Sequence, residues 1–187
     1  MPPAAARPSR QPKLLLHTCC APCLTYPLEV LKRDFAVTVY FSNSNIHPRD
    51  EYQTRLAEAK RYCETRCEFI EDKYDCEKWF TEIRGFENEP ERGERCRICY
   101  RLRLAQTAKF AAKNGFEVFA TTLSISPHKN ANWLNEIGTE LAQKFNVKFQ
   151  ESNWKKKGGF QNSITLSREF GLKRQNYCGC IFSRRDT

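Results

Sequence analysis

Leu14, Leu15 and Leu16 form an unbroken apolar run, the mark of a strand covered on both faces. AVTVYF at 36–41 is β-branched and aromatic and predicts a second strand. Weaker apolar stretches at 68–70, 116–121 and 147–149 predict three more. Between them the apolar residues take helical spacing. Leu102, Ala105, Ala108 and Ala112 recur every three or four positions within 96–113, and Gly115 stands where a C-terminal cap belongs. Helices are also expected from Pro22 to about 32 and over 50–62, 75–83, 132–145 and 162–170. Strands alternating with helices predict an α/β fold, a parallel sheet with helices on both faces. Ligands of such sheets bind at the carboxyl ends of the strands. The segments 19–23, 43–47 and 122–129 each follow a predicted strand directly.

The 187 residues suit one core, so 13–187 is read as a single α/β catalytic domain. Residues 1–12, rich in Pro, Ala and Arg, are read as a disordered N-terminal tail. No apolar run approaches the roughly 18 residues that span a bilayer. The first dozen residues lack the apolar stretch of a secretory signal, so a cytoplasmic protein is expected. Thiols stay reduced there, and paired cysteines then favour metal or redox roles over disulfides.

Seven of the ten cysteines fall into three groups: Cys19, Cys20 and Cys23; Cys96 and Cys99; Cys178 and Cys180. Gathered by the fold, they exceed the four thiolates of one tetrahedral zinc. The excess points to an iron–sulfur cluster or to two neighbouring metal centres. Cys96 and Cys99, three apart at a helix start, share one face and the positive end of the helix. Gly179 leaves the backbone room to aim both flanking sulfurs inward. The spacing CxxxCxxC of a radical-generating cluster fails, because Tyr26 occupies its third position. Neither GxxxxGK nor GxGxxG is present. Cys63 and Cys67 read more readily as packing residues than as ligands.

These residues carry a family resemblance from about Leu14 to Ser183. Its motifs are His17-Thr-Cys-Cys-Ala-Pro-Cys23, Phe41-Ser-Asn-Ser-Asn-Ile-His-Pro48 with Glu51, Tyr52 and Arg55, and Lys73-Tyr-Asp75. Glu91-Arg-Gly-Glu-Arg-Cys96 follows, with Cys99, Tyr100, Arg103 and Leu104, then Thr121-Thr-Leu-Ser-Ile-Ser-Pro-His-Lys129. Lys157-Gly158 with Ser163 and Arg174-Gln-Asn-Tyr-Cys-Gly-Cys180 complete the set. The chain resembles the metal-dependent epoxyqueuosine reductases of the QueH type. The resemblance implies a Rossmann-like parallel sheet with helices on both faces, a fold like that of adenine nucleotide alpha hydrolases and ATP-pyrophosphatases. It implies removal of the epoxide oxygen from epoxyqueuosine at the tRNA wobble position, with a [4Fe–4S] cluster and a second adjacent metal ion, iron or zinc. Cys23 stands where some relatives have an acidic residue, and Lys173 where an aromatic residue often precedes Arg-Gln.

On that reading Cys96, Cys99, Cys178 and Cys180 supply most of the cluster's ligands, and Cys19, Cys20 and Cys23 serve the second metal or share the bridge. His17, Tyr74, Asp75, His128 and Lys129 are candidate proton donors, with helix capping the alternative for Asp75. The expected partners are tRNA carrying epoxyqueuosine and an unidentified electron donor. With a net charge of +9, Lys155, Lys156, Lys157, Arg174, Arg184 and Arg185 are candidate RNA contacts. Trp154 and Tyr177 are candidate stacking residues, with packing favoured for Trp154. A zinc-stabilised RNA-binding protein without catalysis and a tRNA sulfur-insertion enzyme stand as rival readings. The second needs an SGGxDS loop, and 17–23 takes its place.

Overall fold

The computed structural model describes residues 10–184. A five-stranded sheet forms the centre, in the order β3-β2-β1-β4-β5, from β1 (Lys13–His17), β2 (Ala36–Phe41), β3 (Glu68–Glu71), β4 (Val118–Thr121) and β5 (Lys148–Phe149). Every pairing is parallel, with Leu15 opposite Thr38 on one side and Phe119 on the other. The helices are α1 (Ala21–Leu31), α2 (Arg49–Cys63), α3 (Cys76–Glu82), α4 (Glu94–Lys113), α5 (Ala131–Phe145) and α6 (Gly159–Glu169). Short 3-10 turns occupy Leu123–Ile125 and Ile181–Ser183. This is the expected α/β class. Among the described residues no helix is long and apolar enough to cross a membrane.

The all-apolar β1 follows from its central place, since alternate residues point to opposite faces. Leu15, with Tyr40 and Phe119, packs on Leu104, Ala108 and Ala111 of α4 and on Leu134, Ile137 and Leu141 of α5. Leu14 and Leu16, with Val37, Val39 and Ala120, pack on Leu24, Leu28 and Leu31 of α1 and on Tyr62 of α2. Phe41 meets Tyr52, Leu56 and Ala59 of α2. The sheet is therefore sealed on both sides, and its carboxyl edge is the open rim.

Three boundaries differ from expectation by more than one residue. α4 begins at Glu94, so Cys96 lies inside its first turn. β4 begins at Val118 because the Phe116 amide caps α4, donating to the Ala111 carbonyl at 3.0 Å. α6 begins at Gly159, three residues before the expected 162. Its glycine start hides it from propensity, yet a Cβ at Gly159 would run into the Trp154 carbonyl. Of the segment expected to be a tail, residues 1–9 lie outside the described residues, and the Pro12 carbonyl accepts from the Ala36 amide at 3.0 Å.

Candidate metal centre

After β1 the chain turns through Thr18–Cys20 and enters α1. Cys20 is the N-cap residue but makes no capping bond. Its sulfur instead lies 2.8 Å from Cys23 Sγ, one turn along, and 3.8 Å from Cys19 Sγ. All three sulfurs fall within 4.8 Å of one another. Of the three, Cys19 is the thiol that most favours the charged form. Hydrogen bonds from Cys20 and Cys23 hold the Cys19 thiol well below its usual value. Their counterpart pushes Cys20 up and Cys23 to about 12. The free amides of the α1 N-terminus favour that charge.

The second and third groups meet across the rim. Cys96 and Cys99 are one turn apart on α4, and the Arg92 amide donates to Cys96 Sγ at 3.3 Å. The loop before them is tied down by buried Arg95. Its Nη1 donates to the Phe86, Glu87 and Glu89 carbonyls, and its guanidinium lies over the Phe182 ring. Burial is the leading influence that pushes the Cys96 and Cys99 thiols up.

The Cys178–Cys180 segment is held from two sides. The His47 amide donates to the Gly179 carbonyl at 2.7 Å, and Tyr177 OH donates to the His47 carbonyl at 2.6 Å. From α2, Arg55 donates to the Tyr177 and Cys178 carbonyls at 3.1 and 3.2 Å. Gly179 has φ +103°, and a Cβ there would stand 2.9 Å from Ile46 Cγ1. Only glycine fits this close left-handed turn. Cys178 is lowered to about 5, first by the Cys180 thiol. Its sulfur also lies 3.0 Å from Ser183 Oγ.

Two adjoining cavities result. A small one, about 30 Å³, is lined by Cys96, Cys99, Cys178 and Cys180 with Trp79 and Arg103. An open cleft of about 190 Å³ is lined by Cys19, Cys20 and Cys23 and again by Cys178. Glu91, His128 and Lys129 border both. Cations surround the sulfurs. Burial opposes the charge on Lys129, yet Cys19, Cys178 and Cys23 hold its ammonium above the usual value. Arg55 stands beside Cys20 and Cys19 in the same way.

Strand order decides where the other expected residues lie. β4 adjoins β1, so His128 and Lys129 reach the thiols. His128 Nδ1 lies 3.0 Å from Arg92 Nη2. β3 is two strands from β1, so Tyr74 and Asp75 line neither thiol cavity. Tyr74 OH donates to the Ile46 carbonyl at 2.8 Å, and Asp75 caps α3 by accepting from the Lys78 amide at 3.2 Å. His17 is fully buried between the strand ends, 3.0 Å from Thr121 Oγ1 and 3.2 Å from the Ser42 carbonyl. Burial, then Arg103, lowers it to about 3. Its ring is a neutral brace joining β1, β2 and β4.

Of the RNA-contact candidates, Arg174 and Tyr177 line the cleft. Lys155 is used internally, its Nζ donating to the Lys129 carbonyl at 2.6 Å. Trp154 Nε1 donates to the Thr121 carbonyl at 2.9 Å while its ring meets Tyr26, which makes it a packing residue. Lys156, Lys157 and Arg184 are exposed outside both cavities, and Arg185 lies outside the described residues. Cys63 and Cys67 sit in or against the core beside α1. Arg55 and Arg103 were not expected at the site. Their signal is an arginine on an apolar helix stripe: Tyr52, Arg55, Leu56, Ala59 on α2, and Tyr100, Arg103, Leu104, Ala108 on α4.

The donor chemistry fits thiolate-bound metal. All ten cysteines are free. The seven grouped sulfurs are more than one tetrahedral ion uses. Cations without carboxylate partners, Arg103 and Lys129 among the described residues, stand ready to balance their charge.

The family model of epoxyqueuosine reductase QueH matches residues 14–186. The epoxyqueuosine reductase QueH of Streptococcus pyogenes serotype M1 is 40% identical over 184 residues, covering 95% of this chain and 72% of that protein. That of Histophilus somni is 42% identical over 190 residues, covering 99% and 77%. Among solved structures, a predicted subunit of tRNA methyltransferase from Methanocaldococcus jannaschii shares the fold. Its TM-score is 0.56 at 10% identity, over 83% of this chain and 75% of that one. With the family model matching nearly the whole chain and its cysteine motifs meeting at one rim, the chain belongs to the epoxyqueuosine reductase QueH family.

Proposed function

We propose that this chain removes the epoxide oxygen from epoxyqueuosine, giving queuosine at the wobble position of tRNA. The observation that carries the reading is the meeting of seven cysteines, from three segments, around two adjoining cavities. The relatives' name supplies the reaction. Cys96, Cys99, Cys178 and Cys180 would hold a [4Fe–4S] cluster, and Cys19, Cys20 and Cys23 a second ion, iron or zinc. When bound, the cluster supplies electrons one at a time and the second ion an open position for the oxygen.

Converting an epoxide to an alkene takes two electrons and two protons and releases water. Electrons come from an external donor. Lys129 carries a proton at Nζ on the wall shared by the two cavities, which suits it to protonate the departing oxygen. His128 stands beside it. Its Nδ1 accepts from Arg92, so its own proton sits on Nε2, open for relay. Tyr177 and Phe160 offer aromatic faces in the cleft to a splayed-out base, and Arg174 a phosphate contact. Ten free cysteines suit a reducing compartment such as the cytoplasm.

The test is anaerobic reconstitution with iron and sulfide, followed by epoxyqueuosine-containing tRNA and a reductant. The modified nucleoside is expected to lose the mass of one oxygen. A confirmed cluster with no such loss overturns the reading, and a colourless protein holding only zinc overturns its iron–sulfur part.

A further inference from the structure

Arg103 occupies the buried face of α4, 5% exposed. Its Nη2 donates to Asn43 Oδ1 at 2.6 Å. Asn43 Nδ2 in turn donates to the Thr18 carbonyl at 2.8 Å. Thr18 immediately precedes Cys19. Two hydrogen bonds thus link the helix bearing Cys96 and Cys99 to the strand end bearing the first cysteine group.

The guanidinium lacks an anionic partner of the usual kind. Among the described residues no carboxylate pairs with it, and its Nε has no hydrogen-bond partner. An enclosed charge of this kind is costly unless anions face it. The groups that face it are sulfurs. Cys99, Cys19 and Cys178, one from each cysteine group, are the groups whose negative charge, as thiolates, favours the guanidinium's positive charge against burial. It also lines the small cavity with Cys99 and Cys178. Arg55 is not equivalent, because Glu51 pairs with it at 2.6 Å.

We propose that Arg103 is a positioning residue common to both metal sites. It supplies the buried positive charge that lets three thiolate groups assemble in one place, and through Asn43 it sets the spacing between the first group and the second. The inference rests on the metal reading of the proposed function, not on its reaction. A site of thiolates carries net negative charge, and taking up an electron adds to it. A fixed cation at short range favours that uptake by Coulomb attraction. Losing the cation therefore moves the midpoint potential in the negative direction.

The experiment compares the full chain with Arg103→Gln, Arg103→Lys and Asn43→Ala, each reconstituted anaerobically. Three quantities are read: resistance of bound metal to a chelator, protection of each cysteine group from alkylation, and the midpoint potential, with circular dichroism to confirm folding. Loss of an outer-sphere partner typically weakens metal binding by about 10–100-fold. Arg103→Gln is expected to lose metal in that range from both groups, with a more negative potential for the cluster that remains. Arg103→Lys keeps the charge and a near-normal potential but not the retention, because an ammonium lacks the planar fork that reaches Asn43. Asn43→Ala weakens retention while leaving the potential close to that of the unaltered chain. A folded Arg103→Gln protein with unchanged retention and potential overturns the proposal. Should that variant not fold, unchanged retention in both Arg103→Lys and Asn43→Ala does so. If the unaltered chain takes up zinc but no cluster, the redox reading above fails, and Arg103 is still judged on zinc retention at the two groups.

Discussion

Arg55 donates to the carbonyl of Cys178 at 3.2 Å, across 123 positions of sequence. The same guanidinium reaches the Tyr177 carbonyl, pairs with Glu51 and lies over the Tyr177 ring. One side chain of α2 therefore fixes the approach of the third cysteine group to the other two. Arg55→Met breaks a pair that is 2% exposed on the arginine side. It should cost about 3 kcal/mol of stability and loosen metal held by Cys178 and Cys180. Urea unfolding and metal analysis check this. Unchanged metal content with the expected stability loss would separate the anchor's packing role from a role at the centre.

Replacing each grouped cysteine by alanine should sort the seven. Cys96, Cys99, Cys178 and Cys180 variants are expected to lose the visible absorbance of the cluster. Cys19, Cys20 and Cys23 variants should keep it and lose the second ion and turnover. Iron content and absorbance spectra decide, and full retention of both in every variant would remove the metal reading.

His47 makes the fold sensitive to acid. It is buried between the Trp79 and Phe80 rings, with no hydrogen-bond partner on either ring nitrogen. Burial, opposed by the Asn45 backbone, lowers it from its ordinary 6.5. The unfolded chain then binds a proton that the folded chain resists. Stability is full above about pH 6.5 and falls as the pH drops below it. His47→Leu removes the titration and two unsatisfied polar atoms. Melting temperatures from pH 7 to pH 5 should fall for the unaltered chain and fall less for the variant. Equal slopes would exclude His47 as the source.

Binding of tRNA should weaken steeply with added salt, since phosphate contacts release counterions. Arg174→Ala should reduce the log–log salt slope by about 1. An unchanged slope would place Arg174 outside the phosphate contacts.

Much of this was legible from residues alone. Leu14 to Leu16 and AVTVYF announce a doubly covered sheet, and the first cysteine group follows β1 directly, where such sheets place ligands. Strand order was not legible, and it separates His128 and Lys129, beside β1, from Tyr74 and Asp75, past the edge strand. Nor was the burial of His17 visible: alternation puts its side chain on the face of Leu15, but does not say whether the end of a strand is covered or open to the rim. Arg55 and Arg103 stand among the motifs, but an arginine is by default a solvent-facing residue. Their places on apolar stripes carried the contrary signal.

The small cavity takes two sulfurs from the head of α4 and two from a segment about eighty residues later. A chain made from its N-terminus onward therefore carries all five strands of the sheet while half of that sulfur set does not yet exist. Cys96 and Cys99 must wait as free thiols, open to oxygen and to stray metal. Contacts this distant in sequence close late in folding. The four-sulfur cavity is then the last part of the site to close, and a chain interrupted before Cys178 would hold only half of its sulfurs.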